Sequence, residues 1–248
     1  MNLWRMELAR LFRTPRWLGL LASYLVFGIL SPVMTRYAEA LFSNIGSGVE
    51  ITLPKPTPSI AMTSFIGNAS QIGLVVTVFI AAGSLAFDAR PEWAAFLRAR
   101  ASLGQILVPK YLVNAAAAAA SFSIAATMAW VVTSLLIDDL PAGAMLVGIV
   151  YWEIYLAFVI GVVALGAALT RSVIGVAGLT VVVLLAMPLG AEVFGTAEPW
   201  MPSTLVGSLP ALVDGASASE FLRAGVVAIL TAGACLVAAV RLLARREI

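Results

Sequence analysis

Glu153 is the one carboxylate that stands well inside a long apolar stretch of this sequence, and Tyr151, Trp152 and Tyr155 flank it. An acid in that setting can take a proton or a cation, gate a polar passage, or accept hydrogen bonds from neighbouring helices. It has no second acid and no Ser-Lys pair at the same depth, so hydrolytic chemistry lacks its partner group. The chain contains no His, which removes Ser-His and Cys-His catalysis, histidine metal sites and bis-histidine haem ligation. Cys235 is the single cysteine and lies in an apolar run, so no disulfide, CxxC pair or thiolate zinc site forms within the chain. There is no GxxxxGK[ST] phosphate loop. No residue is therefore assigned a catalytic or metal-binding role.

The elements that must hold these groups are membrane helices. Of 248 residues 61% are hydrophobic and 11% charged, with a mean hydropathy of +1.01, which describes an all-α polytopic membrane protein. A hydrocarbon core of roughly 30 Å needs about 20 apolar helical residues per crossing. Six windows meet that length, at 17–35, 67–87, 106–137, 142–169, 172–190 and 221–243. Arg5, Arg10, Arg13, Arg16, Arg90, Arg98, Arg100, Lys110, Arg171, Arg241, Arg245 and Arg246 then share one side with both termini, against Arg36, Lys55 and Arg223 on the other. The positive-inside rule puts the first group, and both termini, in the cytoplasm. The Arg-spread N-terminus carries no small-residue cleavage site and reads as retained. A formal charge of +2 makes no case for nucleic acid, and the abundance of Ala, Val, Gly and Arg fits a GC-rich bacterial genome. No connecting segment is long enough to fold alone, so 1–248 is one transmembrane domain. No internal repeat is visible, which disfavours an inverted-repeat secondary transporter.

Two short cytoplasmic segments are amphipathic. In 1–16, Trp4, Leu8, Leu11 and Phe12 share one face while Arg5, Glu7, Arg10 and Arg13 take others, and Thr14-Pro15 ends the helix. It either anchors on membrane lipid or also touches a cytoplasmic partner. In 88–105, Asp88 suits a cap, Pro91 a first turn and Glu92 the positive helix end, predicting a helix over 91–100. Trp93, Phe96, Leu97 and Leu103 form its apolar stripe, with Arg90, Arg98 and Arg100 at the rim. Such a stripe rests on lipid or enters a groove on another protein. Within the third crossing, Ala115, Ala119, Ser123 and Thr127 make a small-residue ridge for close helix approach, inside the subunit or between two chains. Glu153 falls toward the outer end of the fourth crossing, where its three aromatic neighbours form either an interface belt or the walls of a substrate passage or gate.

Six crossings with both ends inside, the elbow-like helix of 1–16, the run Asp88-Ala89-Arg90-Pro91-Glu92-Trp93 leading to Leu97, Arg100, Leu103 and Lys110, the Pro199, Pro202, Pro210 and Gly215 of the last outer loop, and the Arg245-Arg246-Glu247 close together resemble the permease subunit of type-2 ATP-binding-cassette (ABC) transporters. The glycine common early in that family's inter-span helix is absent. The resemblance implies a non-enzymatic subunit that binds no cofactor, with ATP and Mg held by separate cytoplasmic ABC ATPase subunits. It implies a second permease chain, as homodimer or heterodimer, in a bacterial cytoplasmic membrane. Pro91, Glu92, Trp93, Phe96, Leu97, Arg98 and Arg100 would then form the coupling helix, and 191–220 a pair of re-entrant helices outside. The implied activity is alternating-access export of an amphipathic or lipid-like compound of the drug, antibiotic or lipid class. The rival readings are an ATP-independent secondary transporter or channel using Glu153, and a membrane scaffold.

Overall fold

Among residues 3–43, 55–89, 91–193 and 195–245, which the computed structural model describes, six helical spans are long and apolar enough to cross a membrane and no strand occurs. The amphipathic α1 (Leu3–Arg13) leads into the first crossing, α2 (Arg16–Ser43). The second crossing is α3 (Pro58–Asn68) joined through a π-helical turn, Ala69–Gly73, to α4 (Leu74–Leu85). A short helix α5 (Pro91–Arg98) precedes the remaining crossings α6 (Leu103–Leu136), α7 (Ala142–Leu169) and α8 (Val173–Val193). Two 3-10 turns, Gly195–Trp200 and Pro202–Gly207, and α9 (Ser208–Val213) lead to the last crossing, α10 (Ala218–Ala244).

Several starts lie earlier than hydropathy alone suggests, because capping rather than apolar content sets them. Thr57 accepts a hydrogen bond from the Ile60 amide and Pro58 takes the first helical position, so the second crossing begins at Pro58 and not at 67. Together with the extension of α2 to Ser43, this cuts the outer loop expected at 36–66 from both sides. Reciprocal capping boxes, Ser102 with Gln105 and Ser217 with Glu220, open α6 and α10 a few residues ahead of their apolar windows.

Lipid offers no hydrophobic drive for helix association, so packing rests on close backbone approach and interhelical hydrogen bonds. α2 lies along α6 and α7 along α10, the two most extensive helix pairs. A Cβ on Gly28 would come within 2.4 Å of the Ala125 carbonyl oxygen, so that contact needs glycine, and one on Gly161 would crowd the Ala232 Cα at 3.0 Å. α7 is the most buried crossing and α8 the least, with Ile174, Val182, Leu185 and Leu189 of α8 facing outward. Through the centre runs an aromatic column. Phe122 of α6 stacks on Trp152 of α7 at 4.6 Å between centroids and on Phe65 of α3 at 5.7 Å, and Tyr24 of α2 meets it edge-on at 5.8 Å. Gly73, in the π-helical turn, makes room for this column: a Cβ there would run into the Tyr24 ring. The Tyr24 hydroxyl is 2.8 Å from the Thr77 hydroxyl, which also bonds the Gly73 carbonyl.

One pair of charges is buried at the arginine-rich end. Lys110 of α6 and Glu7 of α1 are 1% and 4% exposed, with Nζ 2.5 Å from Oε1. Removing two ions from water costs several kcal/mol each, and only close mutual contact offsets it. Next to them Asn114 donates to the Ser84 hydroxyl of α4 and to the Lys110 carbonyl. α1 is thereby fastened to the bundle through its polar side, while Trp4, Leu8 and Phe12 face outward and Leu11 is half-buried.

Two outcomes follow from this arrangement. Either Glu7→Ala or Lys110→Ala should lower stability by about 3–5 kcal/mol, whereas Glu7→Leu with Lys110→Met should cost much less; thermal unfolding in detergent measures both. In a Cys235→Ser background, cysteine at the exposed Lys55 or Asp139 should react with an impermeant maleimide in intact cells, and cysteine at the exposed Ala95 only after lysis.

Candidate functional site

The segment between the second and third crossings is held rigidly at its base. Asp88 lies in a 3-10 turn, Phe87–Ala89, just ahead of α5. It does not cap the helix; its carboxylate accepts a 2.7 Å charge-assisted hydrogen bond from Arg98, closing the segment on itself. Arg98 also donates to the Leu243 carbonyl at the end of α10, at 3.3 Å. A helix C-terminus leaves such carbonyls unsatisfied, so a guanidinium is a suitable partner there. Arg98 is thus a part of the fold, not the rim charge that its sequence position suggests.

The apolar stripe divides as well. Leu97 is 0% exposed and Ala94 3%, both in the core, while Trp93 and Phe96 are each 38% exposed. The two exposed rings stack at 5.5 Å, and the Arg100 guanidinium lies over the Phe96 ring at 4.5 Å. Helical periodicity put Trp93, Phe96 and Leu97 on one stripe, but an eight-residue helix seated on the bundle has room to bury only one edge of it. The exposed part is Trp93, Phe96 and Arg100, with Glu92 also exposed. Arg90 and the side chain of Pro91 lie outside the described residues, as do Arg246 and Glu247.

Glu153 is half-buried, and the Ser123 hydroxyl donates to its Oε1 at 2.5 Å. Eleven residues into α7, at 1.5 Å per residue, it lies roughly 17 Å from the outer end of a helix about 42 Å long, well within hydrocarbon depth. Among the described residues no Lys or Arg pairs with it. The interface-belt reading does not hold: Tyr151, Trp152 and Tyr155 are 8%, 0% and 4% exposed, and all three belong to the core. Trp152 donates to the Val206 carbonyl and Tyr151 to the Ala218 carbonyl. The returning segment packs on α7 there: Leu205, Leu209 and Leu212 are buried, and Leu209 lies so close to α7 that only glycine fits at Gly148.

The small-residue ridge of α6 runs beside this acid. Ala115, Ala119 and Ser123 are half-buried and Thr127 is exposed, whereas Ala118, Phe122, Ala125, Ala126 and Ala129 are fully buried. The ridge borders the α6–α7 seam, and its Ser123 supplies the hydrogen bond to Glu153. Sequence reasoning placed Ser123 and Glu153 in separate roles, since nothing in a spacing pattern brings two crossings into register. Also missed was the clustering of Arg10, Arg13 and Arg16 around a cavity of about 810 Å³ between α1, α2, the end of α4 and the start of α8.

These observations define an all-α, multi-pass transmembrane protein. The uncharacterized transmembrane protein YxlG of Bacillus subtilis strain 168 is 20% identical over 185 residues, which is 73% of this chain and 72% of that protein. No protein-family model matches the chain, and no solved structure matches it.

The Ser123–Glu153 contact has a measurable signature. Ser123→Ala should lower stability by about 1–2 kcal/mol by removing a donor from an acid at membrane depth, and Glu153→Leu should make the same serine change nearly silent. A double-mutant cycle on thermal unfolding reads the coupling; additive effects would show that the two side chains do not interact.

Proposed function

We propose that the chain is the membrane-spanning permease subunit of a type-2 ABC exporter. The observation that carries this reading is the knob of Trp93 and Phe96, a stacked aromatic pair held toward the arginine-rich side on a helix whose other edge is clamped by Leu97 and by the Arg98 bonds to Asp88 and Leu243. Exposed aromatics beside arginine are the composition of an interface anchor, and a rigid base lets a push on the knob reach α10 and, through α10, α7. Cytoplasmic ABC ATPase subunits holding ATP and Mg are the proposed partners, and this chain itself is neither an enzyme nor a cofactor carrier. A second permease chain, identical or homologous, completes the unit. The outward apolar face of α8 and the ridge from Ala115 to Thr127 are surfaces suited to such a neighbour or to lipid. The bacterial source of the similar protein supports a place in a bacterial cytoplasmic membrane. Nucleotide-driven closure of the ATPases would move α5 and switch the bundle between inward-open and outward-open states, exporting an amphipathic or lipid-like compound.

The Glu153–Ser123 pair favours a second reading, in which transport is ATP-independent and Glu153 exchanges a proton or cation. The two readings separate on nucleotide dependence.

Trp93→Asp with Phe96→Asp should leave expression and thermal stability unchanged, since both side chains project from the fold. It should reduce co-purified vanadate-sensitive ATPase on the order of tenfold or more, as loss of two interface anchors does. Leu97→Asp should instead cost folded protein, because it puts a carboxylate in the core. Full ATP-driven transport by the Trp93/Phe96 variant would exclude α5 as the coupling element. Nucleotide-independent transport that Glu153→Gln abolishes would establish the second reading.

A further inference from the structure

The register of α6 against α7 is set where Ser123 meets Glu153. The two helices run antiparallel, so one turn inward of that contact the corresponding residues are Ala119 and Ala157, and one turn outward they are Thr127 and Val150. Ala119, Ser123, Glu153 and Ala157 are half-buried, and Thr127 and Val150 are exposed. The seam is therefore open along one side of the bundle, with small side chains on its α6 edge. Leu146, a further turn outward on α7, and Ile124, beside Ser123, are its exposed apolar neighbours.

An acid in this place needs a partner. Oε1 of Glu153 accepts from Ser123, and Oε2 accepts a hydrogen bond from none of the described residues. Lipid tails offer no donor. The Ser123 hydroxyl also lies 2.8 Å from the Ala119 carbonyl oxygen, so it serves the acid in either form. It donates to a carboxylate, or it turns to Ala119 and accepts from a carboxylic acid. That keeps the empty seam satisfied but supplies no positive charge. Lys110 is committed to Glu7. Arg36 and Arg223 lie seven and five residues from the outer ends of α2 and α10, against eleven for Glu153 in α7. Among the described residues, an identical chain packed alongside in the same orientation thus brings no cation of its crossings to this depth. A metal ion such as calcium or magnesium takes about six oxygen ligands or more, and the seam offers a carboxylate and the hydroxyls of Ser123 and Thr127. What it fits is a single positive charge carried on an apolar body, with the charge against Oε2 and the body against Val150, Leu146 and Ile124.

We propose that the Glu153 seam binds lipophilic organic cations, in which a quaternary ammonium or phosphonium centre or a protonated amine is carried on an apolar body. Glu153 is the counter-charge, and Ser123 holds one of its oxygens so that the other faces the seam. Such compounds partition into the bilayer and reach the seam sideways from it. This names a substrate class for the transport role proposed above and rests on that role, not on how transport is driven.

The test uses the full chain in phosphatidylcholine nanodiscs, with radiolabelled tetraphenylphosphonium as the probe and empty nanodiscs to subtract partition into lipid. Wild-type protein should bind it saturably and unfold at a higher temperature in its presence. Tetraphenylborate, the same shape with the opposite charge, and tetramethylammonium, the charge without the apolar body, should not raise the unfolding temperature. Glu153→Gln keeps the side-chain length and a hydrogen bond to Ser123, and should weaken binding on the order of tenfold or more. Val150→Lys keeps Glu153 and tethers an ammonium one turn away at an exposed position, so it should occupy the carboxylate and weaken binding likewise. Asp138→Asn with Asp139→Asn, which removes the exposed carboxylates of the turn between α6 and α7, should leave binding unchanged. Equal losses in the Glu153→Gln and Asp138/Asp139 variants would mean diffuse attraction of cations and overturn the proposal. Wild-type binding by Glu153→Gln or by Val150→Lys would place the cation elsewhere and overturn it too. A thermal shift from tetramethylammonium as large as that from the probe would show that the acid takes any cation, and the lipophilic assignment would fail. In a Cys235→Ser background, a disulfide between two copies at Thr127→Cys, together with no saturable binding, would give the seam to a second chain instead. Vanadate-sensitive ATPase is scored on the same affinity-purified chain before reconstitution. No cation binding with the ATPase retained would overturn the substrate class alone, and cation binding without the ATPase would support this site while removing the ABC reading.

Discussion

The buried contact of Glu7 with Lys110 governs the arginine-rich half of the molecule. An isolated ion on α6 at 1% exposure would face a desolvation penalty of several kcal/mol, and Glu7 is the acid that meets it. Because Glu7 lies on an amphipathic helix, satisfying Lys110 also fixes the rotation of α1. Its polar edge turns toward the bundle and Trp4, Leu8 and Phe12 turn away from it. With α1 so turned, Arg10 and Arg13 line a common cavity with Arg16 of α2. One ion pair thus gives the elbow helix its orientation and the arginines their destination.

The membrane half obeys a different constraint. In lipid, attraction between helices comes from contact and hydrogen bonding, and the chain supplies both through small residues and hydroxyls. Gly28 against Ala125 and Gly161 against Ala232 lie in the two most extensive helix pairs, while Gly148 admits the segment 208–213 onto α7. The aromatic column from Tyr24 through Phe122 to Trp152 fills the space that those approaches leave. It is polar at its margins, where Tyr24 meets Thr77 and Trp152 meets the Val206 carbonyl. α7, at the centre, receives contacts from α4, α6, α8, α9 and α10, so any displacement of α10 is felt there.

Under the proposed function these two halves have separate tasks. The clamp of Arg98 between Asp88 and Leu243 makes α5 and the end of α10 one mechanical unit. The Glu153–Ser123 pair, near the middle of α7, is the most polar feature at membrane depth, and it lies on the seam between α6 and α7 that a rearrangement of the bundle would alter.

The sequence by itself determined the class and the number of crossings, because a hydrocarbon layer demands long apolar helices whatever their neighbours are. It also determined that 1–16 and 88–105 contain amphipathic helices, since their periodicity is local. Helix starts are legible in principle: Thr57-Pro58 and the Ser102 and Ser217 capping boxes are short-range signals that a hydropathy window does not weigh. What tertiary structure alone decided was partnership. Glu7 with Lys110, Ser123 with Glu153, and Arg98 with Leu243 join residues 103, 30 and 145 positions apart, and no local pattern encodes such registers. The division of the α5 stripe into a buried Leu97 and an exposed Trp93 and Phe96 has the same origin. A helical wheel states which residues share a face, but only the surface against which the helix is seated decides how much of that face is covered.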